Sequence, residues 1–212
     1  SADSRLTAKF IQFEKTLEEI RTCLDPTTRS LARIKSIIMD LRNFSRLDES
    51  EFLQADLNEG LNNTLKFFKD QTEGRIEIVK KFSELPMVAC YPGHLNQVFS
   101  NVILNSIEAI KEKGVIEIVT QLREAGGDFD RNHVRIDVKD TGQGISKEHV
   151  GKIFDPFFTT KDVGKGKGLG LSIAYGVTNR HRGKILVNSE IGKGTAVSIL
   201  IPVNSENIIM DT

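Results

Sequence analysis

Amide side chains recur at helical spacing within one strongly apolar segment. Gln97, Asn101 and Asn105 lie four residues apart and would share one face of a helix. Asparagine is a poor helix former, so two of them one turn apart weaken the helix. An amide oxygen is a hard, neutral ligand for Mg²⁺, and a magnesium ion held by phosphates needs only one or two protein ligands. The face is a candidate metal site, although the same pattern is also typical of a solvated helix surface.

An acidic, glycine-containing turn follows an alternating strand pattern. It is the run Asp140-Thr141-Gly142-Gln143-Gly144. A carboxylate at a strand end can accept a hydrogen bond from an exocyclic amine, and the glycines let the backbone pass close to a flat ring. The spacing is not that of a dinucleotide-binding fingerprint, because no third glycine follows. Taken alone, an ordinary aspartate-capped turn remains the simpler interpretation.

A second glycine-rich run, Gly164 to Ser172, contains four glycines and two lysines and leads directly into an apolar helical pattern. Free N–H groups at a helix start form an anion site, and lysines add positive charge. The run does not match the P-loop spacing. A linker would explain the glycines but not the abrupt helix that follows.

Three phenylalanines fall within five residues of a polar loop between Ile153 and Lys161. Such a cluster is either a plug of the core or the anchor of a movable lid. Further along, the hydroxyl of Thr195 could reach a bound base from the start of the last strand. Gly-Thr before a strand is common, so this signal is weak on its own.

The elements that must position these residues follow a helical hairpin. Apolar residues recur at steps of three and four over residues 5–46, and Asp25-Pro26 breaks and restarts the pattern. Two helices of this length bury too little surface to stand alone, so we expect a second copy to complete a four-helix bundle. The alternative is a hairpin folded onto the rest of its own chain.

The remainder predicts an α+β fold, a two-layer sandwich with a mixed sheet and helices on one face. We expect a hairpin domain over residues 1–50 and a second domain over 51–212, joined by a polar linker from Ser45 to Ala55. A capping box at Asp56 and a proline at position 92 predict helix starts. The predicted strands are Arg75–Phe82, Val115–Leu122, Val134–Lys139, Lys184–Asn188 and Thr195–Ile201, and a helix is expected from Gly168 to Asn179.

Composition narrows the function. The 212 residues carry 29 basic and 29 acidic side chains, and this balance argues against nucleic acid or acidic lipid as a general partner. Two cysteines cannot form a disulfide framework. No apolar run is long enough for a membrane span. We therefore expect a soluble, cytoplasmic chain without direct membrane contact; anchoring of a larger parent protein is left open.

The order of the motifs resembles the ATP-binding domain of sensor histidine kinases, within the wider GHKL ATPase superfamily. Asn101 and Asn105 match the family's N box, and Asp140, Gly142 and Gly144 match its G1 box. The segment Phe154–Phe158 matches the F box. Gly166, Gly168 and Gly170 match the G2 box, and Gly192–Thr195 matches the last nucleotide-binding segment. The segment Asp40–Leu47 is similar to the end of the dimerisation helix in one subgroup of these kinases.

The resemblance implies a Bergerat-type ATP-binding fold with ATP and Mg²⁺ as ligands. It implies that Asn105 coordinates Mg²⁺, that Asn101 lies beside the phosphates, and that Asp140 accepts from the adenine amine. Lys161, Lys165 and Lys167 become candidate phosphate contacts in a lid over about 146–170. The implied nucleotide contacts further include Phe157, Leu169, Leu171 and Thr195. The implied partners are a second copy through residues 5–46 and a response-regulator receiver domain.

One departure concerns the phosphoryl acceptor. The family's acceptor histidine lies near the start of the first hairpin helix, and residues 1–25 contain no histidine. The four histidines are at 94, 133, 149 and 181, and we expect His149 and His181 to lie at the surface. We predict ATP binding without autophosphorylation, with the acceptor supplied in trans. The alternatives are a degenerate dimeric ATP-binding scaffold and a GHKL ATPase without kinase activity.

Overall fold

The computed structural model describes residues 51–126, 131–161 and 166–204, together with 12, 14–16 and 22 near the N-terminus. Those five N-terminal residues are helical. The chain divides into two units, Ser1–Ser45 and Arg46–Thr212. The hairpin and the dimer predicted over residues 5–46 lie almost entirely outside the described residues, and the domain boundary at residue 50 stays a prediction.

The second unit is built from seven strands and five helices within its described residues. The strands are β1 (Leu53–Ala55), β2 (Ile76–Phe82), β3 (Val88–Cys90), β4 (Gly114–Arg123), β5 (His133–Asp140), β6 (Lys184–Glu190) and β7 (Gly194–Pro202). The helices are α1 (Leu57–Phe67), α2 (Lys69–Thr72), α3 (Pro92–Ala109), α4 (Lys147–Val150) and α5 (Gly170–Arg180).

Five strands form one mixed sheet in the order β2-β4-β5-β7-β6. Strand β2 pairs with β4 in parallel, and every other pair in this sheet is antiparallel. Strands β1 and β3 form a separate two-stranded antiparallel sheet. The predicted α+β fold with a mixed sheet is confirmed.

The core lies between one face of the sheet and the helices α1, α3 and α5. Helix α3 packs against α1 and α5 and contributes a continuous apolar stripe, because its apolar residues recur every three or four positions. Its seven predicted apolar residues are all at most 3% exposed. Burying each such side chain stabilises the fold by about 1.5–3 kcal/mol. This burial fixes which face of α3 is left for polar residues.

Local signals set the helix starts as predicted. Oδ1 of Asp56 accepts from the N–H groups of Asn58 at 2.8 Å and Glu59 at 3.3 Å, which caps α1. Pro92 opens α3, where a missing N–H group costs nothing. The glycine-rich run leads into α5, which begins at Gly170 rather than at Gly168.

Two predictions about local structure are wrong. Leu53–Ala55 was expected to be linker, but it forms β1, because its backbone pairs with Val88–Cys90 far along the chain. The weakly periodic stretch after residue 141 contains one short helix, Lys147–Val150. Within the residues that the structure describes, no helix is both long enough and apolar enough to cross a membrane.

Candidate functional site

Helix α3 presents the predicted amides on the face opposite its buried stripe. Asn101 and Asn105 are both half-buried, as is Gln97 one turn earlier. They therefore line a surface that other segments approach without closing it. The segments that meet this face are the ones that carry the remaining motifs.

Asp140 ends strand β5 and is only 2% exposed. Its Oδ1 accepts from the N–H of Gly142 at 2.8 Å and from the N–H of Thr195 at 3.2 Å. Burial raises the pKa of this carboxyl group, while hydrogen bonds from Gly142, the Ser106 side chain and Thr195 act in the opposite direction. Because Ser106 lies on α3, the carboxyl group is tied to the helix that carries the amides.

The turn after Asp140 packs against the end of α3. A Cβ on Gly142 would lie 2.6 Å from Cβ of Ala109 and 2.8 Å from its backbone, so only glycine fits. The N–H of Gln143 donates to the carbonyl of Ala109 at 3.1 Å. At Gly144, an added Cβ would lie 2.1 Å from the carbonyl oxygen of Glu190. The turn is thus held between α3 and the end of β6.

Thr195 is 8% exposed at the start of β7. Its hydroxyl lies 2.8 Å from Oγ of Ser189, which also accepts from the N–H of Ile145 at 2.8 Å. The structure therefore brings Thr195 and Asp140 together, as the expected base contact requires. The Thr195 hydroxyl is already engaged with Ser189.

The phenylalanine segment divides between packing and exposure. Phe154 is half-buried with its ring centroid 5.1 Å from that of Tyr175, and Phe158 lies 5.5 Å from the ring of His149. Phe157 is 64% exposed and has a φ of 68°, which is rare for an aromatic residue. The segment is therefore neither a simple core plug nor fully free.

The segment's backbone is joined to the second glycine-rich run. The N–H of Phe157 donates to the carbonyl of Gly168 at 2.9 Å. Gly168 has a φ of +67°, and a Cβ there would lie 2.3 Å from the carbonyl carbon of Phe157. Glycine is required at this position on both counts.

Gly170 begins α5 directly opposite the amide face of α3. A Cβ on Gly170 would lie 3.7 Å from Cβ, Cγ and Oδ1 of Asn101. Leu169 precedes the helix, and its carbonyl accepts from the hydroxyl of Ser172 at 2.9 Å. Gly166, Lys167 and Leu171 are half-buried around this helix start, whereas Lys165 lies outside the described residues.

Lys161 reaches α3 from the end of the phenylalanine segment. Its Nζ forms an ion pair with Oε2 of Glu108, one turn beyond Asn105. A Cβ on Gly166 would lie 3.1 Å from Cβ of Lys161, so the chain is close-packed here. All four predicted motifs therefore contact or face helix α3.

An unpaired donor suits this face to an anionic ligand. The Nδ2 atom of Asn101 is buried without a hydrogen-bond partner, although buried polar atoms are nearly always paired. A phosphate oxygen would satisfy this donor. Among the described residues, no group of three His, Cys, Asp or Glu side chains could hold a metal ion. Mg²⁺ would therefore fit here only with phosphates completing its shell.

Sequence reasoning missed Glu108 and misplaced His181. Glu108 lies three residues after Asn105, a spacing that could have placed it on the amide face. His181 was expected at the surface, but it is fully buried. Its Nδ1 lies 2.8 Å from the carbonyl of Val177, and its Nε2 accepts from the N–H of Tyr91 at 3.1 Å. Burial lowers its pKa, because the charged form is poorly solvated.

Comparison with known families agrees with this arrangement. The profile described as "Histidine kinase-, DNA gyrase B-, and HSP90-like ATPase" matches residues 90–205, more than half of the chain. The chain belongs to this ATPase family. The match begins just before α3 and runs through β7, so it contains every motif described above.

Relatives place the ATPase domain nearer to histidine kinases. It is 33% identical over 175 residues to sensor histidine kinase ZraS of Escherichia coli (strain K12), covering 81% of this chain and 36% of ZraS. It is 30% identical over 178 residues to sporulation kinase E of Bacillus subtilis (strain 168), covering 83% of this chain and 23% of that protein. The chain thus spans about a third or less of these relatives.

Solved structures share the fold. The catalytic domain of histidine kinase ThkA is 31% identical with a TM-score of 0.62, and the match covers 72% of this chain and 98% of that domain. A structure of ThkA in complex with response regulator protein TrrA matches with a TM-score of 0.67 at 28% identity, covering 84% of this chain and 49% of that one. The predicted resemblance to histidine-kinase catalytic domains is confirmed, and it supports ATP as the nucleotide.

Proposed function

We propose that this chain is the ATP-binding catalytic region of a two-component sensor histidine kinase. It would transfer the γ-phosphoryl group of ATP to a histidine on a dimerisation helix that this chain does not contain. The carrying observation is the meeting of Asp140, Asn101 and Gly170 around α3, since it joins a buried base acceptor to an unpaired amide donor and a helix N-terminus.

Each residue has a distinct part in binding. The carboxyl group of Asp140 accepts from the adenine amine, and Thr195 and Phe157 lie along the base. The amide of Asn101, the N–H groups from Gly166 to Leu171, and the ammonium groups of the lysines at 161, 165 and 167 hold the phosphates. Asn105 supplies an amide oxygen to Mg²⁺, which when bound bridges the phosphates and neutralises their charge.

The transfer itself needs mostly positioning and charge neutralisation. A bond forms between an acceptor imidazole nitrogen and the γ-phosphorus as the bond to the bridging oxygen breaks, ADP leaves, and the imidazole loses its proton to solvent. The amide of Asn101 cannot act as a general base towards water. This favours a protein acceptor over hydrolysis, and therefore a kinase over a GHKL ATPase.

The acceptor is expected to come from another molecule. Of the four histidines in the chain, His94 and His133 are 6% exposed and His181 is fully buried. His149 lies on the short helix α4 with its ring near that of Phe158. We therefore propose that the chain does not autophosphorylate, and that a receiver domain takes the phosphoryl group onward, as the ThkA complex with TrrA suggests for its own system.

Dimerisation through residues 5–46 and a cytoplasmic location complete the proposal. Both follow from the sequence pattern and from the relatives, which are sensor and sporulation kinases. A dimer would bring the acceptor helix of one chain near the ATP site of a chain.

Two measurements test the function. First, a fluorescent ATP analogue is titrated with and without Mg²⁺; the proposal requires Mg²⁺-dependent binding, and no binding would exclude both enzyme readings. Second, the chain is mixed with radiolabelled ATP and a fragment that carries an acceptor histidine. Acid-labile, base-stable label on the fragment supports the kinase. Brisk phosphate release without label would favour the ATPase, and binding with neither outcome would favour the scaffold.

A further inference from the structure

The ion pair between Lys161 and Glu108 joins two elements of the site. Lys161 ends the phenylalanine segment, and Glu108 lies on α3. The two side chains are 37% and 38% exposed. Pairs with this exposure contribute little to stability. The pair is therefore better explained by what it does to the charge of this surface.

Glu108 lies on the face of α3 that the nucleotide is proposed to use. It follows Asn105 by three residues and Asn101 by seven, and these spacings return to the same side of a helix. An unpaired carboxylate there would repel a triphosphate, because both are negative and the surroundings are partly buried. A nucleotide site with Glu108 in this place needs a cation beside it.

The backbone around Lys161 holds that cation in place. The N–H of Lys161 donates to Oγ1 of Thr159 at 3.2 Å. A Cβ on Gly166 would lie 2.5 Å from the same Oγ1 and 3.0 Å from Cδ of Lys161. The aliphatic stem of Lys161 is therefore packed against the second glycine-rich run, and its ammonium group is directed to Glu108.

We propose that Glu108 is a positioning residue for the nucleotide site, and that Lys161 neutralises it. The pair, rather than Lys161 alone, then determines how strongly the site prefers three phosphates over two. This inference rests on the proposed ATP binding. It differs from a direct phosphate contact by Lys161, because it makes the need for Lys161 depend on Glu108.

A double-mutant cycle separates the two roles. Dissociation constants for ATP and ADP, each with Mg²⁺, are measured for the wild type, Lys161→Ala, Glu108→Gln and the double variant. We expect Lys161→Ala to weaken ATP binding about tenfold, as for loss of one charge-assisted interaction. Its effect on ADP is expected to be smaller. Glu108→Gln should bind ATP at least as tightly as the wild type, and the double variant should recover most of the loss.

The controls distinguish charge masking from structural damage. Lys81 and Glu117 form a similar ion pair between β2 and β4, so Lys81→Ala and Glu117→Gln are matched variants that should leave both dissociation constants unchanged. Thermal unfolding without nucleotide should be the same for all variants within the small effect of a surface pair. Equal melting with a changed ATP-to-ADP ratio is the signature of the proposed role.

Three outcomes would overturn the inference. A double variant as weak as Lys161→Ala would mean that Lys161 acts without Glu108. A Glu108→Gln variant that binds ATP more weakly than the wild type would mean that the carboxylate aids binding. If the wild type binds no nucleotide, both this inference and the proposed function fail, whereas wild-type binding without coupling removes the inference alone.

Discussion

The backbone N–H of Thr195 donates a hydrogen bond to Oδ1 of Asp140 over 3.2 Å, across 55 positions of sequence. The N–H of Gly142 donates to the same oxygen at 2.8 Å. Two donors on one oxygen fix the orientation of the buried carboxyl group at the end of β5. The start of the last strand therefore helps to aim the group that we propose as the adenine acceptor.

Replacing Asp140 by Asn should reduce the preference for adenine over guanine nucleotides. A carboxylate only accepts, as the adenine amine requires, whereas an Asn amide can also donate to the carbonyl oxygen of guanine. We expect ATP affinity to fall about tenfold and GTP affinity to change less. Competition against a fluorescent ATP analogue measures both. Asp137→Asn, on the opposite face of β5, is the control; an unchanged ATP-to-GTP ratio in the Asp140 variant would contradict the assignment.

Replacing Asn105 by Ala should remove the Mg²⁺ dependence of nucleotide binding and leave the fold intact. The half-buried amide is the proposed protein ligand of the metal, and alanine is the better helix former. Titration with and without Mg²⁺, together with circular dichroism, tests this. Gln97→Ala changes an amide on the same face two turns earlier and should behave as the wild type. Retained Mg²⁺ dependence in the Asn105 variant would show that the metal is held elsewhere.

Replacing Gly142 by Ala should destabilise the domain by about 1–3 kcal/mol, as expected for an overpacked site. The added Cβ would lie 2.6 Å from Cβ of Ala109 and press on rigid backbone. Urea unfolding gives the free energy of unfolding. Gly151→Ala is the matched control, since nothing lies within 4 Å of a Cβ there. Equal stability of the two variants would mean that the turn and α3 can move apart freely.

Stability should fall as the pH drops below about 6.5, in part because of His181. Its folded-state pKa is lowered, chiefly by burial and also by the positive charge of Arg180, while the bond to Val177 acts in the opposite direction. Above the unfolded pKa both states are neutral at this ring and its contribution is constant. Below it, the unfolded chain takes up a proton that the folded chain resists, and the loss approaches about 1.4 kcal/mol per pH unit.

The measurement for His181 is the urea midpoint followed from about pH 8 to about pH 5. His181→Gln keeps an oxygen that can accept from the N–H of Tyr91 but does not titrate, so its profile should be flatter. His149→Gln, at a half-buried histidine on α4, should leave the profile of the wild type unchanged. Identical slopes for the wild type and the His181 variant would assign the pH dependence to other groups.

Local patterns predicted much of the fold because their causes are local. The apolar period of α3, Pro92 at its start and the Asp56 cap each act within a few residues, and each is found where expected. The three-residue strand Leu53–Ala55 was missed because its stability comes from pairing with Val88–Cys90, which no local pattern reports. His181 was misplaced for a similar reason, since its partners Tyr91 and Val177 come from different elements.

The sequence by itself determined which chemical groups this protein has and in which order they occur. The amides of α3, the aspartate-glycine turn and the glycine-rich helix start could be named from residue types and spacing. Only the tertiary structure decided that Gly170 faces Asn101 and that Lys161 is paired with Glu108. The physical reason is that spacing along a helix fixes a face within one element, whereas contact between elements depends on how the buried apolar stripes pack together.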